Sequence, residues 1–196
     1  MITSISQKLY EIQIPNYSGE IKMLPFSLET LSEISQPFNS MVAKMIEFLP
    51  IKQGTAYLTV DGKIVEKGQT HRRGGKHIDG NYIPETLSWG GGWKVGEGGR
   101  IISSEHHKLS YENETGGMLI ASTYPTCKGW NGIFAGSPYI GGDCSKIEVG
   151  EGFLLEPNML YYGNSQFLHE SLPIDETVHR VVARITLPID YPVLAT

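Results

Sequence analysis

Frequent glycine and proline residues are the feature that most constrains the fold of this chain. The 23 glycines and 11 prolines divide its 196 residues into short segments. Segments of this kind are typical of β-strands joined by turns and leave little room for long helices. The length suits one hydrophobic core, and a charged fraction of 19% with 40% hydrophobic residues indicates a folded globular protein. We therefore predict a single, mainly β domain over residues 1–196.

Several segments have the composition of strands. The run HRVVARITLPI, which begins at His179, alternates and is rich in valine and isoleucine, and GMLIASTYP is a short apolar strand. Two further runs lie on either side of residues 150–152 in KIEVGEGFLLEPNMLYYGN. The segment TAYLTVDGKIVEKG predicts a hairpin, because Asp61-Gly62 is a strong turn dipeptide.

One helix is predicted beside these strands, within residues 28–50. Pro37 should interrupt it, because proline inside a helix removes a backbone hydrogen bond. The second half then places Met41, Met45 and either Phe48 or Leu49 on one face at helical spacing. We expect this apolar face to pack against a sheet.

Residues 87–100 combine many glycines with two tryptophans, which indicates a long loop. Such a loop either orders over a ligand or lies on the surface with its tryptophans against the core, and the sequence leaves both interpretations open.

Charge and cysteine content narrow the protein's class. A net charge of −5 argues against a broad basic surface for duplex nucleic acid. The first twenty residues contain no long apolar run, so we expect neither a secretory signal nor a membrane span. Cys127 and Cys144 are too few for a structural zinc site, although one disulfide between them stays open. These features predict a cytoplasmic protein.

The first candidate site is the segment GGKHIDGNY, which contains His77 and Asp79. Residues two apart in an extended segment face the same side, so an imidazole and a carboxylate can reach one point. They would supply two of the three ligands of a 2-His-1-carboxylate triad, the arrangement that leaves open positions on Fe(II). Gly74, Gly75 and Gly80 would let the chain turn tightly around such a site. The alternative is a polar turn, because a pattern of three residues is common.

The distal part of the chain supplies a further histidine and two cations. His169 lies shortly before the strand that carries Arg180 and Arg184. The two arginines are an even number of residues apart, so they share one face of that strand. If this face is the inner one, an anion is expected nearby, because a buried arginine without a partner is costly.

These four features, in this order, resemble the double-stranded β-helix Fe(II)/2-oxoglutarate-dependent oxygenases over about residues 55–188. The family pattern is HxD, a long insertion, a distal histidine and an arginine on the following strand. The resemblance implies a jelly-roll or cupin-like β-helix core flanked by an N-terminal helix, with Fe(II) bound by His77, Asp79 and His169. It also implies 2-oxoglutarate as co-substrate, dioxygen as oxidant, and hydroxylation of a primary substrate that the sequence does not identify.

The resemblance also implies an arginine that holds the C5 carboxylate of 2-oxoglutarate, since a guanidinium meets a carboxylate in two parallel hydrogen bonds. Arg180 has the commoner spacing and is favoured. Arg184 remains a candidate, because RIT is similar to the family's arginine-x-serine pattern with threonine as the hydroxyl. Tyr162 and Asn164, which precede the distal histidine, could also bond the co-substrate, and strand packing is their alternative.

Contacts to the primary substrate are the least specific expectation. Arg72 and Arg73 could hold an acidic group and Trp93 could stack on a flat molecule, whereas solvated charge and core burial are the ordinary explanations.

Two rival functions stay open. One is a cupin-type metal enzyme of other chemistry, whose usual signature has more histidines close together. The other is a non-enzymatic jelly-roll domain in which HxD is only a turn.

Overall fold

A computed structural model describes residues 1–83, 88–89, 93–94, 114–139 and 141–194 of the chain. These residues form one helix, α1 (Phe38–Met45), and fourteen strands. The strands are β1 (Ile2–Ser4), β2 (Ser6–Glu11), β3 (Gly19–Ser27), β4 (Thr55–Val65), β5 (Tyr82–Ile83), β6 (Ser88–Trp89), β7 (Trp93–Lys94), β8 (Met118–Ser122), β9 (Cys127–Trp130), β10 (Gly132–Phe134), β11 (Phe153–Leu154), β12 (Met159–Gly163), β13 (Leu168–Ser171) and β14 (Val178–Thr186). The protein is therefore mainly β, as predicted. Among these residues no helix combines the length and apolar character that crossing a membrane requires.

The largest sheet is antiparallel and has the strand order β2-β12-β8-β14-β4-β3. Strand β14 lies inside it and pairs with β4 along its whole length and with β8 over residues 182–186. The predicted strands at HRVVARITL and MLIAS are thus confirmed. The side chains on both faces of β14 are buried, so alternate residues along this strand contact the interiors on the two opposite sides of the sheet.

Helix α1 covers one face of this sheet and closes the main core. Met41 and Met45 lie in one cluster of buried side chains with Val181, Ala183 and other residues of the large sheet. The predicted apolar face is therefore confirmed. The helix begins directly after Pro37, as expected, but it ends at Met45, earlier than the pattern indicated.

The opposite face of the large sheet looks toward a smaller antiparallel sheet with the order β11-β9-β13. Arg180, Val182 and Arg184 of β14 line a cavity together with His169 and Ser171 of β13. Two antiparallel sheets that enclose a common interior are consistent with a β-sandwich. Two small sheets, β1-β10 and β5-β6-β7, complete the described strands.

The predicted hairpin at Asp61-Gly62 is wrong. Strand β4 runs through both residues without a turn and is paired with β14 on one side and β3 on the other. Gly62 instead allows the backbone of Tyr17 to pack closely against β4, since a Cβ placed on Gly62 would lie 1.9 Å from the carbonyl oxygen of Tyr17. Pairing along both edges of β4 thus overrides the local preference of the dipeptide for a turn.

Two other local predictions also differ from the structure. Of the two runs around residues 150–152, only the second is extended, as β11 and β12, whereas residues 146–149 form turns and irregular structure. Within the predicted loop 87–100, the backbones of β6 and β7 pair with each other, and the remaining loop residues lie outside the described part of the chain. Cys127 and Cys144 are buried free thiols.

Candidate metal centre

His77 and His169 lie directly opposite each other across two antiparallel segments. The His77 amide donates to the His169 carbonyl at 2.9 Å, and the His169 amide donates to the His77 carbonyl at 3.0 Å. Residues paired in this way present their side chains on the same face of a sheet. The two imidazole rings are accordingly 4.4 Å apart between centroids. Backbone pairing therefore brings together two histidines that are distant in sequence.

The same local contact orients both imidazoles. Nδ1 of His77 lies 2.7 Å from the carbonyl oxygen of Gly75, and Nδ1 of His169 lies 2.9 Å from that of Phe167. A carbonyl oxygen can only accept, so each Nδ1 carries the hydrogen and each Nε2 keeps its lone pair. Burial lowers the pKa of His77 to about 3 and also lowers the pKa of His169. Both rings are therefore neutral at pH 7 and can act as metal ligands through Nε2.

Asp79 completes the cluster. Its carboxylate oxygens lie 3.9 Å from Nε2 of His77 and 3.8 Å from Nε2 of His169, and one possible ligand atom from each residue lies within 4.8 Å of the others. The left-handed backbone of Gly80, with φ of 66°, turns the chain directly after Asp79, and Gly75 before His77 has φ of 79°.

The ionisation of Asp79 suits the same role. Burial raises the pKa of Asp79, but the nearby positive charges, that of the Arg184 guanidinium first, outweigh this effect and hold the pKa below its usual range. An ionised carboxylate and two neutral imidazoles are a donor set for divalent transition metals. The cluster can therefore bind a metal ion, and this is compatible with a cupin-like metalloenzyme.

Arg180 and Arg184 both face the cavity, as their even separation predicted, but their partners differ. Nη1 of Arg184 donates to Oδ2 of Asp79. Arg180 is only 2% exposed, and its Nη2 donates to the Ser122 hydroxyl at 3.2 Å. The Nε and Nη1 groups of Arg180 have no hydrogen-bond partner among the described residues. Burial lowers the pKa of each guanidinium to about 10, so both remain charged at pH 7.

The cavity has a volume of about 380 Å³ and contains both polar and apolar walls. Two of the predicted substrate residues, Arg72 and Arg73, line it. Arg73 is exposed, and its Nη1 donates to the carbonyl oxygen of Gly141. Arg72 is half-buried, and its Nη1 lies 3.7 Å from Oδ2 of Asp61.

Two other predicted site residues, Tyr162 and Asn164, lie elsewhere, and the side chain of a third, Trp93, is not described. Tyr162 belongs to the main core on the helix side of the large sheet, so it is not among the described residues that line the cavity. Asn164 holds the N-terminal segment, because its side chain accepts from the Ile5 amide at 3.1 Å and donates to the Thr3 carbonyl at 2.7 Å. Trp93 lies on β7, and its side chain is outside the described part of the structure.

Sequence reasoning missed several residues of the cavity wall. Ser171 follows His169 by two positions on β13, so the alternation of a strand could have identified it. Cys127 lies opposite Ser171 in the pairing of β9 with β13, and Thr59 lies opposite Arg184 in the pairing of β4 with β14. Such cross-strand neighbours depend on register, which no local pattern in these segments specifies.

A third buried histidine, His71, lies near this wall beside Asp61. Its Nε2 is 3.1 Å from Oδ2 of Asp61, a carboxylate that also has Lys63 at 3.5 Å. Burial lowers the pKa of His71 to about 4 despite the nearby carboxylate. His71 is therefore neutral at pH 7 and adds no positive charge to the surroundings of Arg180.

Comparison of the chain with family models, with curated proteins and with solved structures found no match.

Proposed function

We propose that the protein is a non-haem Fe(II)- and 2-oxoglutarate-dependent oxygenase with a double-stranded β-helix, or jelly-roll, core. One observation carries the proposal: a His77, Asp79 and His169 cluster shares a cavity with the buried, incompletely paired guanidinium of Arg180. A set of metal-binding side chains alone fits many enzymes. A set of metal-binding side chains beside a buried cation with free N–H groups favours an anionic co-substrate that contacts the metal ion and the cation together.

The donor set suits Fe(II) and an anionic chelator. Two neutral imidazoles and one carboxylate carry a single negative charge, so a bound divalent ion would retain one positive charge and attract an anion. Fe(II), when bound, supplies the redox chemistry that couples decarboxylation of 2-oxoglutarate to the use of dioxygen for hydroxylating a substrate. The chain's contribution is orientation, because the carbonyls of Gly75 and Phe167 fix the rings and Arg184 keeps Asp79 ionised.

Arg180 is the better anchor for the C5 carboxylate of 2-oxoglutarate. The guanidinium of Arg184 is already engaged by Asp79, whereas that of Arg180 retains two unpartnered N–H positions. Four residues on an extended strand separate the two Cα atoms by about 13 Å, so Arg180 begins well away from the ligand cluster. A dicarboxylate that meets the metal at one end therefore favours Arg180 at the other. Ile120 and Val182, which also line the cavity, would exclude water from this region.

Anaerobic spectroscopy tests this function directly. Protein mixed with Fe(II) should develop a visible metal-to-ligand charge-transfer band when 2-oxoglutarate is added. His77→Ala and Asp79→Ala should lose the band and any metal-dependent turnover. Arg180→Gln should shift the half-saturating 2-oxoglutarate concentration upward by about 30-fold or more, the effect expected when a paired, charge-assisted contact is lost.

His179→Ala is the matched control, because His179 is exposed on the same strand and contacts the Ser18 hydroxyl instead of the cavity. It should leave the band unchanged. Wild-type protein that binds Fe(II) without any band would instead favour a cupin-type metal enzyme of other chemistry. No affinity for Fe(II), Mn(II) or Ni(II) would favour a non-enzymatic domain.

A further inference from the structure

The cavity around the candidate metal centre is lined by more cations than its proposed occupants require. Among the described residues, four arginines line it, and Asp79 is its one carboxylate. The histidines are neutral, and the charges of Fe(II) and the 2-oxoglutarate dianion would cancel. The filled site would therefore keep an excess of positive charge, which favours a further anion.

Two of these arginines already have partners in the proposed function. Arg184 contacts Asp79, and Arg180 would hold the co-substrate. Arg72 and Arg73 remain. Asp61 lies 3.7 Å from Arg72, but the same carboxylate also faces Lys63 at 3.5 Å, so it does not neutralise both cations.

The positions of Arg72 and Arg73 mark the opening of the cavity. Arg72 has a side chain that is 37% exposed, and Arg73 is exposed, although both belong to the wall that contains His77 and Asp79. Arg73 is held in place by its hydrogen bond to the Gly141 carbonyl. Neighbouring guanidinium groups between solvent and a metal cluster are suited to an incoming oxyanion.

We infer that the primary substrate carries a carboxylate or phosphate group, which Arg72 and Arg73 bind at the cavity opening while the remainder of the molecule reaches toward the metal centre. This inference rests on the proposed function. Arg72 makes the principal contact, because one N–H group of Arg73 is already used by Gly141. The substrate portion inside the protein is small, since a cavity of about 380 Å³ must also hold 2-oxoglutarate.

Paramagnetic broadening by Mn(II) tests the inference without turnover. Protein in excess over Mn(II) is saturated with 2-oxoglutarate and titrated with inorganic phosphate or with propionate. The ³¹P signal of phosphate and the methyl ¹H signal of propionate report how closely each anion approaches the ion. We expect at least one signal to broaden, with half-saturation at an about tenfold higher concentration in Arg72→Gln, as for loss of one partly exposed charge-assisted contact. Arg72→Lys should fall between the two proteins.

Lys76→Gln is the control, because Lys76 belongs to the same basic segment but its Nζ donates to the Ile147 carbonyl at 2.5 Å. It should match the wild type.

Broadening of phosphate alone or of propionate alone identifies which oxyanion the site prefers, and either result supports the inference. The inference is wrong if 2-oxoglutarate binds but neither probe broadens, or if Arg72→Gln broadens both probes as the wild type does. If 2-oxoglutarate itself fails to bind wild-type protein, the proposed function fails and the inference fails with it. Normal binding of Mn(II) and 2-oxoglutarate by Arg72→Gln shows that the variant is folded.

Discussion

Replacing Arg184 with methionine should destabilise the metal-free protein strongly. Arg184 is 7% exposed and its Nη1 contacts Oδ2 of Asp79, whose side chain is 19% exposed. The variant would leave a largely buried carboxylate without its main counter-charge. Removing one partner of a buried ion pair costs about 3–5 kcal/mol, and the partial exposure of Asp79 places the expected loss near 3 kcal/mol. For a chain of 196 residues, this corresponds to a melting temperature about 7 °C lower.

A double-mutant cycle separates this pair from the other contacts of Arg184. Urea denaturation in the presence of a chelator would compare wild type, Arg184→Met, Asp79→Asn and the double variant. The double variant should be more stable than the sum of the two single losses predicts, by about 2 kcal/mol, because it leaves no unpaired charge. Strict additivity, or a loss below about 1 kcal/mol in Arg184→Met, would refute the reasoning.

Mn(II) provides an internal check on the same variant. A bound divalent ion replaces the missing positive charge beside Asp79, so saturating Mn(II) should reduce the loss caused by Arg184→Met. By linkage, the variant should then bind Mn(II) more tightly than the wild type does. A weaker affinity would mean that Arg184 is needed mainly to orient the carboxylate.

Three further predictions concern other parts of the molecule. Gly62→Ala should lower the unfolding free energy by about 2 kcal/mol or more, because its Cβ would meet a backbone oxygen at 1.9 Å, whereas Gly150→Ala, with open space around it, should be nearly neutral in the same urea titration. Arg180→Met should leave the metal-free protein equally stable, or more stable by about 1 kcal/mol, because it removes a buried and incompletely paired cation, and a large loss of stability would contradict that account. The metal-free protein should become less stable as the pH falls from about 6.5 toward 4. His71 and His77 have folded-state pKa values of about 4 and about 3, so the unfolded chain binds more protons in this range. Urea midpoints measured at several pH values check the slope, and midpoints that rise with acidification would contradict it.

The ligand cluster was largely predictable because its pattern is short and local. The two-residue spacing of His77 and Asp79 predicted that they reach one point, although the structure gives His77 an isolated bridge and no strand there, and the even separation of Arg180 and Arg184 predicted their common side of β14. His169 required the order of features along the chain. The backbone pairing that places it opposite His77 could not be derived from sequence, since pairing partners are chosen by the whole sheet.

The side of the sheet on which Tyr162 lies could not be predicted from the sequence. Tyr161 and Tyr162 are adjacent on β12, so they face opposite sides of the sheet. The structure places Tyr161 with the residues on the cavity side and Tyr162 in the main core. Both are buried aromatic residues, so composition does not distinguish them, and a shift of one position in register would exchange their roles. The continuous strand through Gly62 has a similar cause, because pairing with the neighbouring strands β3 and β14, and not the turn preference of the Asp61-Gly62 dipeptide, determines the local conformation.

The reciprocal hydrogen bonds between His77 and His169 also bear on how chains of this kind can diverge. The two candidate ligands are positioned by each other's backbone, and each ring is fixed by a carbonyl two residues before it, at Gly75 and at Phe167. The connecting chain adds further pairing, because His77 also bridges to Asp143 and His169 pairs with Gly129 on β9, so these segments are constrained while a loop elsewhere can change length. Lengthening a connection is also inexpensive, since each doubling of a flexible loop costs only about 0.6 kcal/mol. Insertions and deletions among related proteins should therefore be tolerated in loops between the two histidines but not within β8, β9 and β12, and the two-residue spacing from each anchoring carbonyl to its histidine should stay constant.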